Sequence, residues 1–123
     1  MPTDPVILAY AAGLFDGEGS ISIVIVKQNK DPNILTHRLM LSLTNTDSSL
    51  TRWLLENFGG FVSKHSSAGR QKPEHKKSER WQCSNAHAER FLRAIRPYLI
   101  AKAERADVGI ALRETRLDRK AHV

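Results

Sequence analysis

Cysteine is almost missing from this chain: Cys83 is the only one in 123 residues. That excludes an intrachain disulfide and any multi-cysteine metal cage. No apolar run approaches the roughly 18 consecutive residues a membrane span needs, and no basic start leads into a signal-like apolar stretch. A soluble, intracellular protein with no membrane partner is expected. Acidic charge is scarce too, with 13 Asp+Glu against 19 Lys+Arg, a net charge of +6 and a sequence pI near 9.8. Basic charge is itself absent from the opening segment, where no Lys or Arg precedes Lys27. Histidine offers no metal-ligand spacing among His37, His65, His75 and His87, so neither a Cys-His nor a Ser-His-Asp arrangement is available.

What is present suits one domain. Hydrophobic residues make up 41% and charged residues of both signs 26%, enough for a single core and too mixed for a disordered chain. The positive surplus concentrates between Lys64 and Arg80, where Lys64, Arg70, Lys72, Lys76, Lys77 and Arg80 face only Glu74 and Glu79. A surplus of this kind suits a polyanion, through charge and counterion release.

Asp4-Pro5 reads as a helix start, with Asp4 as N-cap and Pro5 at the first helical position. The helix is expected to run to about Asp16, with Val6, Ile7, Tyr10 and Leu14 on one side and Ala9, Ala12 and Gly13 on the other. No side is polar before its end, so the helix is expected to be buried all round. Gly13 costs about 1 kcal/mol relative to alanine inside a helix, and close approach of another backbone is the simplest reason for it.

"SISIVIVK" follows with Ile21, Ile23 and Ile25 on one face and Ser22, Val24, Val26 and Gln28 on the other. "KDPN", Lys30 to Asn33, is turn chemistry. "THRLMLSLTN" alternates with Leu39, Leu41 and Leu43 inward. "TDSSLTRWLLENFGG" is a second helix, with Leu50, Trp53, Leu54 and Phe58 inward, closed by Gly59-Gly60. "FVSKHS" and "SERWQCS" form a second hairpin whose basic tip spans roughly Ser66 to Lys77. "AHAERFLRAIRPYL" is a third helix, and Pro97 starts or bends a fourth from about Tyr98 to Glu114. The expected order is α-β-β-α-β-β-α-α in one α+β domain over residues 1–114, with a loosely ordered tail over 115–123.

"AAGLFDGEG" resembles the signature of the LAGLIDADG homing endonucleases, matched at Ala12, Gly13, Leu14, Asp16 and Gly19, with Gly17 and Glu18 as common family variants. "TNTDSSL", "FGGFV" and "RPYLIAK" are further echoes, and the element order matches the family's αββαββα core with an antiparallel DNA-binding sheet, here carrying an extra C-terminal helix. Members with a single motif copy work as homodimers, so the resemblance implies a two-fold pair. The residues point the same way, since a strip of Ala9, Ala12 and Gly13, ending at Asp16, is naturally covered by a second copy of itself. Each copy would then deliver one Glu18 to nearly the same spot. Two like charges so close become tolerable beside divalent cations, Mg²⁺ or Mn²⁺.

The resemblance implies a site-specific, metal-dependent double-strand DNA endonuclease of the intron-homing type acting on a long pseudo-palindromic site. The alternative is a non-cleaving nucleic-acid-binding protein of the same fold, an RNA-splicing maturase or a DNA-binding regulator, which makes RNA a second candidate partner. By the resemblance, Glu18 is catalytic carboxylate and metal ligand, and the Gly17 carbonyl is a second ligand. Lys102 stands where the family often places a basic residue near the scissile phosphate. Asn45 stands where relatives carry a polar residue that positions water. Asp47 is either a fourth catalytic candidate or the N-cap of the second helix. Ser49 occupies a position at which some relatives carry Arg or Lys, leaving Arg52 as a weak substitute. A calcium-loop reading of "DGEGS" fails, because Ile21 stands where the loop needs glycine and Lys27 where it needs glutamate.

For reading DNA, a two-stranded ribbon fits the major groove. Its expected outward residues are Ser22, Val24, Val26, Gln28 and Lys30, then Arg38, Met40, Ser42 and Thr44. His65, Arg80 and Gln82 follow on the second hairpin, with Arg70, Lys72, Lys76 and Lys77 gripping phosphates.

Overall fold

A computed structural model describes residues 1–28, 31–65 and 77–121. Local chemistry sets the first helix. Asp4 Oδ1 accepts from the Val6 amide at 2.9 Å and Pro5 opens α1, Pro5–Glu18. The helix outruns its expected end by two residues and passes directly into β1, Gly19–Gln28, which pairs antiparallel with β2, Asp31–Asn45. A side chain on Gly19 would run into the Phe15 ring, so the junction requires glycine. Asp31, Pro32 and Asn33, expected in the turn, already belong to β2.

Asp47 caps α2, Ser48–Phe58, which closes on Gly59 and Gly60, both at positive φ. Then come β3, Phe61–His65, β4, Ser78–Ser84, and α3, Asn85–Ile95. A short 3₁₀ turn, Arg96–Tyr98, accommodates Pro97, and α4 runs Ala103–Ala121. The last helix therefore starts five residues later than expected. Its helical backbone continues to Ala121, through most of the stretch expected to be a loose tail.

The four strands form one antiparallel sheet in the order β1-β2-β4-β3. Helices cover one face. The core gathers Phe15 of α1, Leu39, Leu41 and Leu43 of β2, Trp81 and Cys83 of β4, Leu54 and Phe58 of α2 and Phe91 of α3. Phe91 is its hub, with ring centroids 5.5 Å from Phe15, 5.0 Å from Phe58 and 5.1 Å from Trp81. The other face of the sheet carries no helix among the described residues.

Two expectations about faces need correction. β4 pairs with β2 only from Met40 to Asn45, so the rest of β2 has β1 as its only partner and the two project as a ribbon. Ile21 is buried at the ribbon's root, but Ile23 and Ile25, expected inward with it, are 41% and 60% exposed because the ribbon outruns the helix layer. The second correction concerns α1. Leu8, Ala11, Ala12 and Phe15 are its buried stripe, so Ala12 packs inside its own subunit and does not belong to an outer strip. Val6, Ala9, Tyr10, Gly13 and Gly17, spaced i, i+3, i+4, i+7 and i+11, are the exposed stripe. Val6 and Tyr10 therefore share a side with Ala9 and Gly13. Within one chain the helix is covered on one side only.

Candidate nucleic-acid and cleavage site

The site begins where α1 ends. The Gly19 amide donates to the Phe15 carbonyl, the last bond of the helix, leaving the carbonyls of Asp16, Gly17 and Glu18 beyond it. α1 carries no basic residue in its last turn to meet the negative end of the helix dipole. Lys102 supplies one from 86 residues away, its Nζ donating to the Asp16 carbonyl at 2.7 Å.

Asp16 makes that approach possible. Its carboxylate accepts from the amides of Ile100 at 2.8 Å and Lys102 at 2.9 Å, tying the turn before α4 to the end of α1. Desolvation pushes its pKa up. The Ile100, Lys102 and Ala101 amides and the Lys102 charge outweigh that and hold it below the ordinary carboxylate value. Asp16, expected on the dimer strip, is half-buried and committed to its own chain.

Glu18 is exposed at the helix terminus. Because Gly19 pairs with Leu43 in the sheet, Glu18 stands against the end of β2. There Asn45 Nδ2 donates to Glu18 Oε2. The orientation of the Asn45 amide is fixed from behind, since its Oδ1 accepts from the Asp47 amide at 2.8 Å. Asp47 itself turns to α2, accepting from the Ser49 amide at 2.9 Å and from the Ser49 hydroxyl. Asp47 thus acts as the helix cap, and Ser49 is part of that cap. Glu79, the strand partner of Asn45, accepts from the fully buried Thr51 hydroxyl at 2.9 Å. Arg52 is exposed on α2.

Among the described residues no three His, Cys, Asp or Glu side chains gather into a cage. Of the acids here, Glu18 is the exposed one at the helix terminus, while Asp16 and Asp47 are engaged by backbone amides of their own chain. Glu18 Oε2 is oriented by Asn45, while Oε1 accepts no hydrogen bond among the described residues. A carboxylate oxygen beside a helix-terminal carbonyl, open to water, is a hard-oxygen donor set that fits Mg²⁺ or Mn²⁺ when phosphate completes it. His87 lies apart from this site, its Nε2 donating to the Phe58 carbonyl at 2.6 Å.

The uncovered face of the sheet carries most of the expected DNA-reading residues. Ser22 pairs with Met40, Val24 with Arg38 and Val26 with Thr36; Ser42 pairs with Gln82 and Thr44 with Arg80. Arg80 Nε donates to Thr44 Oγ1 at 3.4 Å. His65 ends β3 on the same parity, whereas the register shifts between Lys27 and Gln28, so alternation does not assign Gln28 to this face; Lys77 is exposed just before β4. Lys30, Arg70, Lys72 and Lys76 lie outside the described residues. The register adds positions that were not foreseen, among them Ser20, Thr36, Phe61, Ser63 and Ser84. Strand alternation counted back from His65 finds Ser63 and Phe61, so the signal was in the sequence.

An acid at the foot of a one-sided helix, a lysine drawn to the same terminus and an open antiparallel sheet define the class. A family model described as LAGLIDADG endonuclease matches residues 11–100, and the chain belongs to that family. Solved structures share the fold. The homing endonuclease I-CvuI, in complex with the I-CreI target, is similar at a TM-score of 0.72 and 19% identity, covering 86% of this chain and 64% of that one. The archaeal intron-encoded homing endonuclease I-Vdi141I, complexed with DNA, gives 0.71 and 18%, covering 90% and 69%. The meganuclease I-SmaMI, bound to uncleavable DNA, gives 0.74 and 17%, covering 92% of this chain but 38% of that one. The chain thus spans under two thirds of the I-CvuI chain. No curated protein sequence matches it. Among the described residues no helix is long and apolar enough to cross a membrane.

Proposed function

We propose that this chain is a site-specific DNA endonuclease of the intron-homing type, cutting both strands of a long pseudo-palindromic site as a homodimer with Mg²⁺ or Mn²⁺. The observation that carries the reading is the exposed stripe of α1 ending at Glu18. A Cβ added at Gly13 or Gly17 would meet nothing within 4 Å. The cost of a helical glycine, about 1 kcal/mol each, has no intrachain reason. A second α1 laid against this stripe supplies one, and it brings a second Glu18 to the first. Open arrays or filaments do not follow, because a stripe that pairs with itself closes after two copies.

In this pair each Glu18, with the Gly17 carbonyl, would hold a divalent cation. Bound there, the cation supplies an activated water and polarises the phosphoryl group. The remaining work falls to the chain. Asn45 keeps Glu18 in one orientation, so the carboxylate does not reorganise during the reaction. Lys102 stands by to offset charge developing on the phosphate and leaving oxygen. The ribbon of β1 and β2 enters the major groove, and the basic hairpin tip follows the phosphates.

The test is selection of cleaved duplexes from a randomised library. The wild type with Mg²⁺ is expected to enrich one long site and cut both strands. EDTA and Glu18→Gln abolish cutting, while Glu18→Gln keeps binding and still sediments as a dimer. Sequence-selective binding without cutting in either Mg²⁺ or Mn²⁺ would transfer the chain to the non-cleaving class.

A further inference from the structure

Phe61 is 71% exposed, more than any other described aromatic side chain. It does not point outward through slack. Val62, its neighbour, pairs with Trp81 and packs against the core, and alternation turns Phe61 to the opposite face. A one-residue slip would bury Phe61 only by expelling Val62. Two further contacts forbid that slip. Trp81 Nε1 donates to the Gly59 carbonyl at 2.7 Å. Gly60, at φ 95°, lies so close that a Cβ would stand 2.8 Å from the Gln82 carbonyl oxygen and 2.9 Å from Trp81 Nε1. The turn before β3 is therefore seated on the indole, and Phe61 is presented from a fixed backbone.

Its surroundings say what it faces. Phe61 pairs with Gln82, which pairs with Ser42, which pairs with Ser20, so one row runs across the sheet from the strand that follows Glu18. Arg80 and Ser63 lie in the next row. Glutamine, serine and arginine can address the hydrogen-bonding edges of bases and the phosphates. None of them selects for the one apolar group a duplex shows in its major groove, the thymine 5-methyl, which is recognised by apolar contact. We infer that Phe61 is a specificity-determining residue whose ring packs against a thymine methyl in each half-site, an assignment that rests on the DNA-binding reading above.

Deoxyuridine removes that methyl and changes nothing else. The probes are duplexes carrying the consensus recovered by binding selection in Ca²⁺, with each thymine replaced singly by deoxyuridine. The wild type is expected to lose about four-fold in affinity at one thymine per half-site, the worth of burying one methyl group. Phe61→Ala should bind the parent duplex weaker by at least that factor and show no further loss at that position. Phe61→Leu should retain part of the discrimination. Penalties at the remaining thymines of the site stay unchanged in both variants and act as internal controls. The inference is overturned if Phe61→Ala keeps every deoxyuridine penalty of the wild type, or if the wild type shows none. If no duplex is enriched at all, the DNA-binding reading falls and takes this one with it; enrichment and cutting with an unaltered Phe61→Ala profile removes this inference alone.

Discussion

Asn45 is the residue on which the acid's posture depends, because it holds Glu18 with one end of its amide and the start of α2 with the other. Replacing Asn45 by Ala frees Glu18 and leaves the Asp47 amide short of an acceptor. We expect cleavage at limiting Mg²⁺ to drop by about 10–100-fold, as for other partners that orient a ligand, with part of the loss recovered by raising the metal. Single-turnover cleavage across a Mg²⁺ titration reads this, and an unchanged titration would remove Asn45 from the site. Cys83 behaves in the opposite way. Burial pushes its thiol up to about 12, so at pH 8 it is a neutral, enclosed thiol and not a nucleophile. Iodoacetamide should label it only as fast as the protein unfolds, and labelling should rise along the urea transition; fast labelling of the folded protein would contradict its burial. Roles of single residues were legible in the sequence wherever the chemistry is local. The Asp4-Pro5 start needed only near neighbours, and of the two readings open for Asp47, catalytic candidate or cap, the cap is the one its bonds to Ser49 make. The bonds from Asp16 to the turn at Ile100 and Lys102 span 84 and 86 positions, and no local pattern announces them.

At the scale of elements, α1 was foreseen in type and misjudged in orientation. Its residues are apolar all round, so hydrophobic periodicity has no polar side to orient by, and only the placement of Phe15 against the sheet decides that Ala12 turns in and Tyr10 turns out. Tyr10 meets Trp53 edge-on, centroids 4.8 Å apart, at the border of the stripe. The corrected stripe gives a discriminating prediction. A Cβ at position 13 meets no atom of its own chain within 4 Å, and leucine is a better helix former than glycine, so with Gly13→Leu the urea midpoint of the isolated subunit should hold or rise. The same change should convert a sedimenting dimer to monomer and abolish cutting. Loss of folding in place of loss of pairing would mean the stripe has an intrachain role. The late start of α4 was hidden for a different reason. Pro97 was read as starting or bending it, whereas the proline sits in a 3₁₀ turn and the helix begins only past the Ile100–Lys102 turn whose amides bond Asp16.

Across the whole molecule, helices occupy one side of the sheet and the proposed DNA-reading surface the other, and the net charge of +6 has to be understood against that division. Where phosphate contacts dominate, affinity falls steeply as salt competes. A protein making several such contacts per subunit should lose roughly 10³-fold or more between about 50 and 200 mM salt. Fluorescence anisotropy on a selected duplex and on an unrelated one measures the slope, expected to be similar for both while the offset between them persists. A flat dependence would argue against phosphate recognition by the basic tip. The overall architecture was readable because alternation and glycine-ended helices fix element order. The reach of the ribbon was not, because where a strand leaves its neighbours is set by how far the helix layer extends.

That reach separates folding from surface chemistry. Beyond Met40 the paired strands lean on each other and lose the support of β4, so the outward side chains there can be exchanged with little penalty to folding. This arm is the part of the molecule that tolerates rewriting while the core beneath it stays as it is.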